Sequence, residues 1–426
     1  MSTTTLARNT FLTSKIGGLP RAFWALWTGT LVSRTGMMVQ PFMGVYLTQA
    51  RGMSYAAAGT VMAVFGAGSL LSQVLAGWLA DRFGRRVTLT GGMLATAAAM
   101  VALGYSTSLP ALVTMMFVLG VAVDAYRPAA NALVADLVPR HDRARAYGLL
   151  FWAMNLGFAV AMVAGGWLAQ AGYGWMFGIN AATALAFGAL VWRAVPETLP
   201  ARDTGEDEGV GDSAGTATGR EAGAGRRAWR GGFAAVLSDR LMVAFTLITV
   251  VSTLVYIQAF TTLPMAMARA GFPSTAYGTA IAVNGVLIVL LQPLTGDWLG
   301  RRDHSVVLAT GMAIIGVGFA LTAAVSSVAG YTVTIVVWTV GEIVTAGIAG
   351  AIVAALAPAH LRGRYSGLYG LAWSGGTALA PLLGTRMLDV SPVALWVTVG
   401  AIELVAAAAV LAIGPALRRR MGSIRH

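Results

Sequence analysis

Five ionisable residues stand inside long apolar runs of this chain: Arg34, Asp124, Arg127, Glu342 and Glu403. At membrane depth such a side chain costs about 2.5–3.5 kcal/mol, so its presence points to function. Asp124 and Arg127 are three residues apart, and Asn131 continues the same helical face one turn further on, which makes a single polar stripe. Two readings of that pair stand. It is an ion pair that neutralises two buried charges, or it is a proton-exchanging or substrate-binding pair whose carboxylate changes state when the arginine moves away. Glu342 has no charged residue three or four positions to either side, with Trp338 one turn before it and Thr345 about one turn after. A glutamate so placed can take up a proton or bind a lipophilic cation, with Trp338 offering its ring face. Arg34 or Arg127 can also partner it across a cavity, and the two readings coexist if a proton or solute competes with the arginine. Glu403 reads as a structural glutamate, protonated or bonded to a neighbour. Asp136 reads as a helix cap or loop contact.

Other chemistry is missing its residues. The chain has no cysteine, hence no thiolate nucleophile, thiolate-ligated zinc or iron–sulfur cluster. No Gly-x4-Gly-Lys-[Ser/Thr] loop is present, so ATP is not the expected energy source. No metal-ligand pattern or catalytic constellation is visible, and an enzyme is not expected. The four histidines, His141, His304, His360 and His426, all fall outside the apolar runs, where an intramembrane proton relay cannot use them.

The elements that position these groups follow from composition. Of 426 residues, 57% are hydrophobic and only 11% charged, against about 25% charged in soluble domains. The mean hydropathy is +0.72. Twelve stretches are long and apolar enough to span a bilayer as helices: 22–48, 55–80, 87–106, 110–135, 146–170, 174–194, 241–268, 276–298, 305–326, 330–356, 365–386 and 393–415. Residues 1–20 lack the compact apolar core of a cleaved signal peptide. With the N-terminus inside, 24 of the 29 basic residues fall in cytoplasmic segments and three in outer loops. That asymmetry predicts a multi-pass protein of the cytoplasmic (inner) membrane with both termini in the cytoplasm. It also explains the net charge of +12 without nucleic acid. Residues 197–240 are rich in Gly, Ala and charge, which predicts a flexible cytoplasmic linker between a six-helix half at 1–196 and another at 241–426.

The halves repeat. Asp81-x-x-Gly84-Arg85-Arg86 returns as Asp297-x-x-Gly300-Arg301-Arg302, and His141-x-Arg143-x-Arg145 returns as His360-x-Arg362-x-Arg364. Gly148, Gly157 and Gly165 return as Gly367, Gly376 and Gly384. Two six-helix repeats in the same orientation imply a pseudo-two-fold axis along the membrane normal and a cavity between the halves. Rocking would expose that cavity to each side in turn.

At these residues the chain resembles the major facilitator superfamily. Gly77-Trp-Leu-Ala-Asp81-Arg82-Phe-Gly84-Arg85-Arg86 is similar to that family's signature between the second and third helices. Arg34-x-Gly36, Pro41-Phe42, Tyr46-Leu47, Tyr126-Arg127-Pro128-Ala129 and Gln258 to Pro264 resemble the bacterial drug:proton antiporters of twelve helices. The resemblance implies an all-α membrane fold of two parallel six-helix repeats. It implies a central cavity lined by spans one, four, seven and ten, and alternating access driven by a proton gradient without cofactor. Glu342, Asp124, Arg127 and Arg34 would then carry proton coupling or substrate, with Trp338, Gln258, Asn284 and Asn131 as cavity-lining candidates. Asp81, Arg82, Gly84, Arg85 and Arg86 would gate the conformational change, with Asp81 capping a facing helix and the arginines latching the halves. One departure concerns the fifth span. Gly148, Gly157, Gly165 and Gly166 match the antiporter pattern, but Ala161-Met162 replaces its Gly-Pro, and the proline stands in the second copy as Ala380-Pro381. The expected function is export of amphipathic, cationic organic compounds by a monomer. The alternative is a proton-coupled importer or facilitator of a small, anionic metabolite. Met37, Met38, Met43, Met115, Met116, Met154 and Met162 cluster in the first half, as suits a promiscuous apolar pocket or plain packing.

Overall fold

The computed structural model describes residues 18–197, 236–358 and 361–422. Among them there is no strand. The helices are α1 (Arg21–Gly36), α2 (Val39–Val45), α3 (Tyr55–Phe83), α4 (Arg85–Tyr105), α5 (Leu109–Leu137), α6 (Arg143–Ala171) and α7 (Tyr173–Ala194). The second half holds α8 (Arg240–Arg269), α9 (Ser274–Leu299), α10 (His304–Leu321), α11 (Val328–Thr345), α12 (Ile348–Leu356), α13 (Arg362–Val390) and α14 (Pro392–Gly422). Most of the predicted linker, 198–235, lies outside the described residues.

Every predicted apolar stretch coincides with helix, but two of them are broken. The first divides into α1 and α2 at Met37–Met38, where the Met37 N–H turns back to the Arg34 carbonyl. Pro41 stands in the first turn of α2, where its missing N–H costs nothing. The tenth divides into α11 and α12 at Gly347, whose φ is +78°, a conformation glycine adopts without strain. Among the described residues nine helices are long and apolar enough to cross a membrane, counting α11 and α12 as one. α13 begins with Arg362 and Arg364 and carries several glycines, which lower its hydropathy.

Helix starts are marked by side chains that accept the orphan N–H groups. Asp239 caps α8 through the N–H groups of Leu241 and Met242. Asp303 caps α10 through those of Ser305 and Val306. Ser327 caps α11 through Gly330 N–H.

Within the first half α3 packs on α5, α4 on α5 and α7, and α1 on α6 and α7. Within the second, α10 packs on α11 and α14, and α8 on α13 and α14. The halves meet through α3 against α13, α6 against α9 and α2 against α8. The α3–α13 seam needs a glycine. A Cβ on Gly66 would stand 2.4 Å from Ala378 Cα, closer than any side chain permits. Large apolar side chains such as Trp167, Trp175, Leu294 and Val405 remain exposed, as expected of faces turned to lipid.

Candidate functional site

One end of the bundle, the basic end, carries Arg82, Arg85, Arg86, Arg145, Arg240, Arg302, Arg362 and Arg418. The halves are sealed at the far end. Phe42 meets Tyr277 edge to face at 5.4 Å. Gln170 donates to Thr275 at 3.1 Å. The Arg269 guanidinium covers the Tyr55 ring at 5.6 Å while donating to the carbonyls of Leu388 and Asp389.

Towards the basic end the halves part around a cavity of 590 Å³. The starts of α6 (Tyr147, Gly148, Phe151), α8 (Phe245 to Tyr256) and α13 (Tyr369, Trp373) line it, together with Glu342 and the α11–α12 break. Irregular backbone is tolerated at membrane depth where it lines a cavity, and Ala346 and Gly347 do so. The Glu342 carbonyl takes the last i→i−4 bond of α11, from Ala346 N–H at 2.9 Å, and also accepts from Thr345 Oγ1 at 3.0 Å.

The Glu342 carboxyl is held at both oxygens. Oε1 accepts from the Tyr256 hydroxyl at 2.8 Å. Oε2 accepts from Asn284 Nδ2 at 2.7 Å, and that nitrogen also donates to Thr339 Oγ1 at 3.0 Å. Both partners are neutral. Among the described residues no cation pairs with Glu342. The neighbouring aromatic surface belongs to Tyr256 and Trp373, whose rings are 6.0 Å apart.

Several expected site residues stand elsewhere. Trp338 is 1% exposed and does not reach the cavity. It stacks on Phe319 at 5.7 Å and backs the Tyr256 ring at 6.2 Å, because its face of α11 turns to α10. Gln258 is also fully buried. It donates to the carbonyls of Leu254 and Ala380 and accepts from Thr262, so it joins α8 to α13 instead of lining the cavity. Asn284 is buried and orients Glu342 from behind. Arg34 does not face Glu342. It lines a second pocket of 170 Å³ with Met37, Gln40, Met43, Met62 and Met116, and its Nη2 lies 3.8 Å from Met154 Sδ. Phe158 and Phe260, edge to face at 5.7 Å, also line that pocket. Tyr256 packs on Phe260 at 5.3 Å, so this aromatic layer stands between the two chambers. Met38 and Met162 are core residues. The side chains of Asp124, Arg127 and Asn131 on α5, and of Asp81 on α3, lie outside the described residues.

Among the described residues, contacts of the motif arginines lie within the first half. Arg85 Nε lies 3.5 Å from Asp136 Oδ2, tying α4 to α5. Arg86 covers the Trp192 ring at 4.4 Å and donates to the Val195 carbonyl, tying α4 to α7. Arg82 lies 5.9 Å from the adjacent Phe83 ring. These contacts stay within the first half because the halves are apart at this end. Gly84, with φ +103°, lets Glu197 approach the start of α4, where its carboxylate accepts from the N–H groups of Arg85, Arg86 and Val87. The equivalent start in the second half is capped by Asp303, which also pairs with Arg418 at 3.0 Å. Sequence reasoning missed Tyr256 and Glu197. Tyr256 gave no signal among many aromatics, whereas Glu197, just past the sixth span and close to the motif's arginines, was a findable partner. Of the repeated glycines, Gly157, Gly165 and Gly166 approach neighbouring helices closely, while Gly148 faces the cavity.

The chain is 25% identical over 377 residues to the uncharacterized MFS-type transporter YttB of Bacillus subtilis, covering 87% of this chain and 89% of that protein. It is 22% identical to a Na(+), Li(+), K(+)/H(+) antiporter of Planococcus maritimus, covering 81% and 84%. Its fold is similar to that of a POT family transporter solved in complex with a thioalcohol-conjugated peptide, with TM-score 0.77, 14% identity, and 94% and 97% of the chains covered. A sequence model spanning residues 26–381 matches as well, and it places the chain in the Major Facilitator Superfamily, as a membrane transporter and not an enzyme.

Proposed function

We propose that the protein exchanges protons for amphipathic, cationic organic compounds and exports them by alternating access. The observation that carries this reading is a carboxylate with neutral partners in an aromatic-walled cavity: Glu342, held by Tyr256 and Asn284, beside Trp373. Proton and organic cation would compete for it. The name of the Planococcus relative states exchange of cations for protons, which supports a proton gradient as the energy source, with no cofactor. The positive-inside rule puts the basic end in the cytoplasm. The cavity would then receive solute from inside, in the cytoplasmic membrane, with both termini in the cytoplasm and the monomer as the working unit. Calorimetric titration with tetraphenylphosphonium tests the reading. Binding weakens as pH falls in the wild type, and Glu342→Gln binds at least about tenfold more weakly with no pH dependence. Equal binding by the variant would refute it.

Arg34 favours a second reading. A guanidinium in a pocket lined by methionines and phenylalanines suits a small aromatic anion, and proton-coupled import of such a metabolite would follow. Benzoate binding that disappears in Arg34→Ala, with no tetraphenylphosphonium binding in the wild type, would establish it.

A further inference from the structure

Glu403 is fully buried on α14, and the reading of Glu342 gives it no task. Its Oε1 lies 2.6 Å from Ser252 Oγ, and its Oε2 is buried with no hydrogen-bond partner. Ser252 lines the cavity. One turn further along the same face of α8 stands Tyr256, whose hydroxyl donates to Glu342 Oε1. Two acids on different helices therefore bond to consecutive turns of α8.

We propose that Glu403 is a second proton-exchange site, linked to the Glu342 cavity through Ser252, so that α8 carries both acids of the transport cycle. The proposal rests on the proton-coupled reading of Glu342. The helices packed on α14 keep their charges near their ends: Arg240 and Arg269 on α8, His304 on α10, and Arg362, Arg364, Arg386 and Asp389 on α13. Of the helices packed on α14, α8 offers Ser252 and Tyr256, α10 offers the Gly316 backbone beside Glu403, and α13 carries Tyr365 and Tyr369 as titratable groups. Glu342 on α11 is the other acid in the region. Among the described residues Glu403 has one hydroxyl partner and no cation, an environment that favours the neutral form of a buried carboxyl.

A serine hydroxyl can both accept and donate. The Glu403 Oε1–H proton passes to Ser252 Oγ as the hydrogen of Ser252 passes to water in the cavity. That water delivers a proton to the Glu342 carboxylate or to bulk solvent. Glu403 ends as a carboxylate, Ser252 is unchanged, and charge is conserved. The buried carboxylate is tolerated only once it gains solvent or a cation, so proton release is tied to displacement of α8 against α14. Pro264, inside α8, removes one backbone hydrogen bond on the far-end side of both contacts and weakens the helix there.

Infrared difference spectra of the protein in lipid nanodiscs, exchanged from H2O into D2O, test this without any solute. The wild type shows two exchangeable carboxyl carbonyl bands, one absent from Glu342→Gln and the other from Glu403→Gln. In Ser252→Ala the Glu403 band persists but exchanges about tenfold more slowly. Exchange at the wild-type rate in Ser252→Ala, or a Glu403 band that never exchanges in the wild type, would overturn the proposal and leave Glu403 a structural acid. If Glu403→Gln does not fold, the Ser252→Ala rate decides alone. Failure of the underlying reading has a different mark, the lack of any exchangeable band lost in Glu342→Gln.

Discussion

Widening Gly59 should push the protein toward the orientation that opens at the far end. A Cβ there would stand 2.0 Å from Thr385 Oγ1 and 2.6 Å from the Pro381 carbonyl oxygen. The hydroxyl can rotate away, but the backbone carbonyl must retreat about 0.8 Å to reach the 3.4 Å of ordinary contact. A leucine adds three more carbons to the same crevice between α3 and α13. Overpacking of this kind costs about 1–3 kcal/mol. The cost falls on the far-end-closed orientation and is relieved when α3 and α13 separate. It therefore shifts the balance of orientations about 5- to 150-fold. The chain has no native cysteine, so single reporters need no background removal. Gln40→Cys reports on the sealed Arg34 pocket, and Gly350→Cys on the cavity at the basic end. In the Gly59→Leu background maleimide labelling at position 40 should rise by that factor while position 350 still labels. No rise at position 40 in a folded variant would refute the placement of the seal.

Three further outcomes follow from the geometry. Glu197→Ala removes the acceptor for three N–H groups at the start of α4 and should cost about 0.5–2 kcal/mol, read as a lower melting temperature in detergent, with Glu197→Gln recovering part of it. Burial would raise the Asp239 carboxyl, but the Tyr365 hydroxyl, the Met242 N–H and Arg420 outweigh it and hold the group below its ordinary 3.8. Its stabilisation is therefore complete above pH 3.8 and is lost as pH falls through the lower folded value; the melting-temperature gap between wild type and Asp239→Asn should be widest near neutrality and close in acid. Trp338→Ala should lower stability by about 3–5 kcal/mol, since the ring fills the space between Phe319 and Tyr256, whereas Trp373→Leu should weaken tetraphenylphosphonium binding and leave melting unchanged.

The fold was legible because hydrophobic length, charge asymmetry and the internal repeat are one-dimensional signals. Each predicted stretch met a helix within a few residues. The breaks at Met37–Met38 and Gly347 were not legible, since a glycine in an apolar run reads equally as packing. Glu342 was legible because an isolated carboxyl in hydrocarbon is costly enough to stand out. Its partners were not. Tyr256 and Asn284 come from α8 and α9, and which face of an almost wholly apolar helix turns inward leaves little trace in its sequence. The same blindness put Trp338 and Gln258 in the cavity when their faces turn to α10 and α13. The motif arginines were legible as a cluster, but their partners depend on which end of the molecule is open.

The central claim is that a proton and an organic cation share Glu342. Proteoliposomes holding the purified protein, given an imposed pH gradient and a fluorescent lipophilic cation, with an anionic dye as control, test it most directly. The cation should move opposite to the proton flux in the wild type, with the movement abolished in Glu342→Gln and no movement of the anion. Anion uptake along the proton gradient, with the cation left in place, would contradict it.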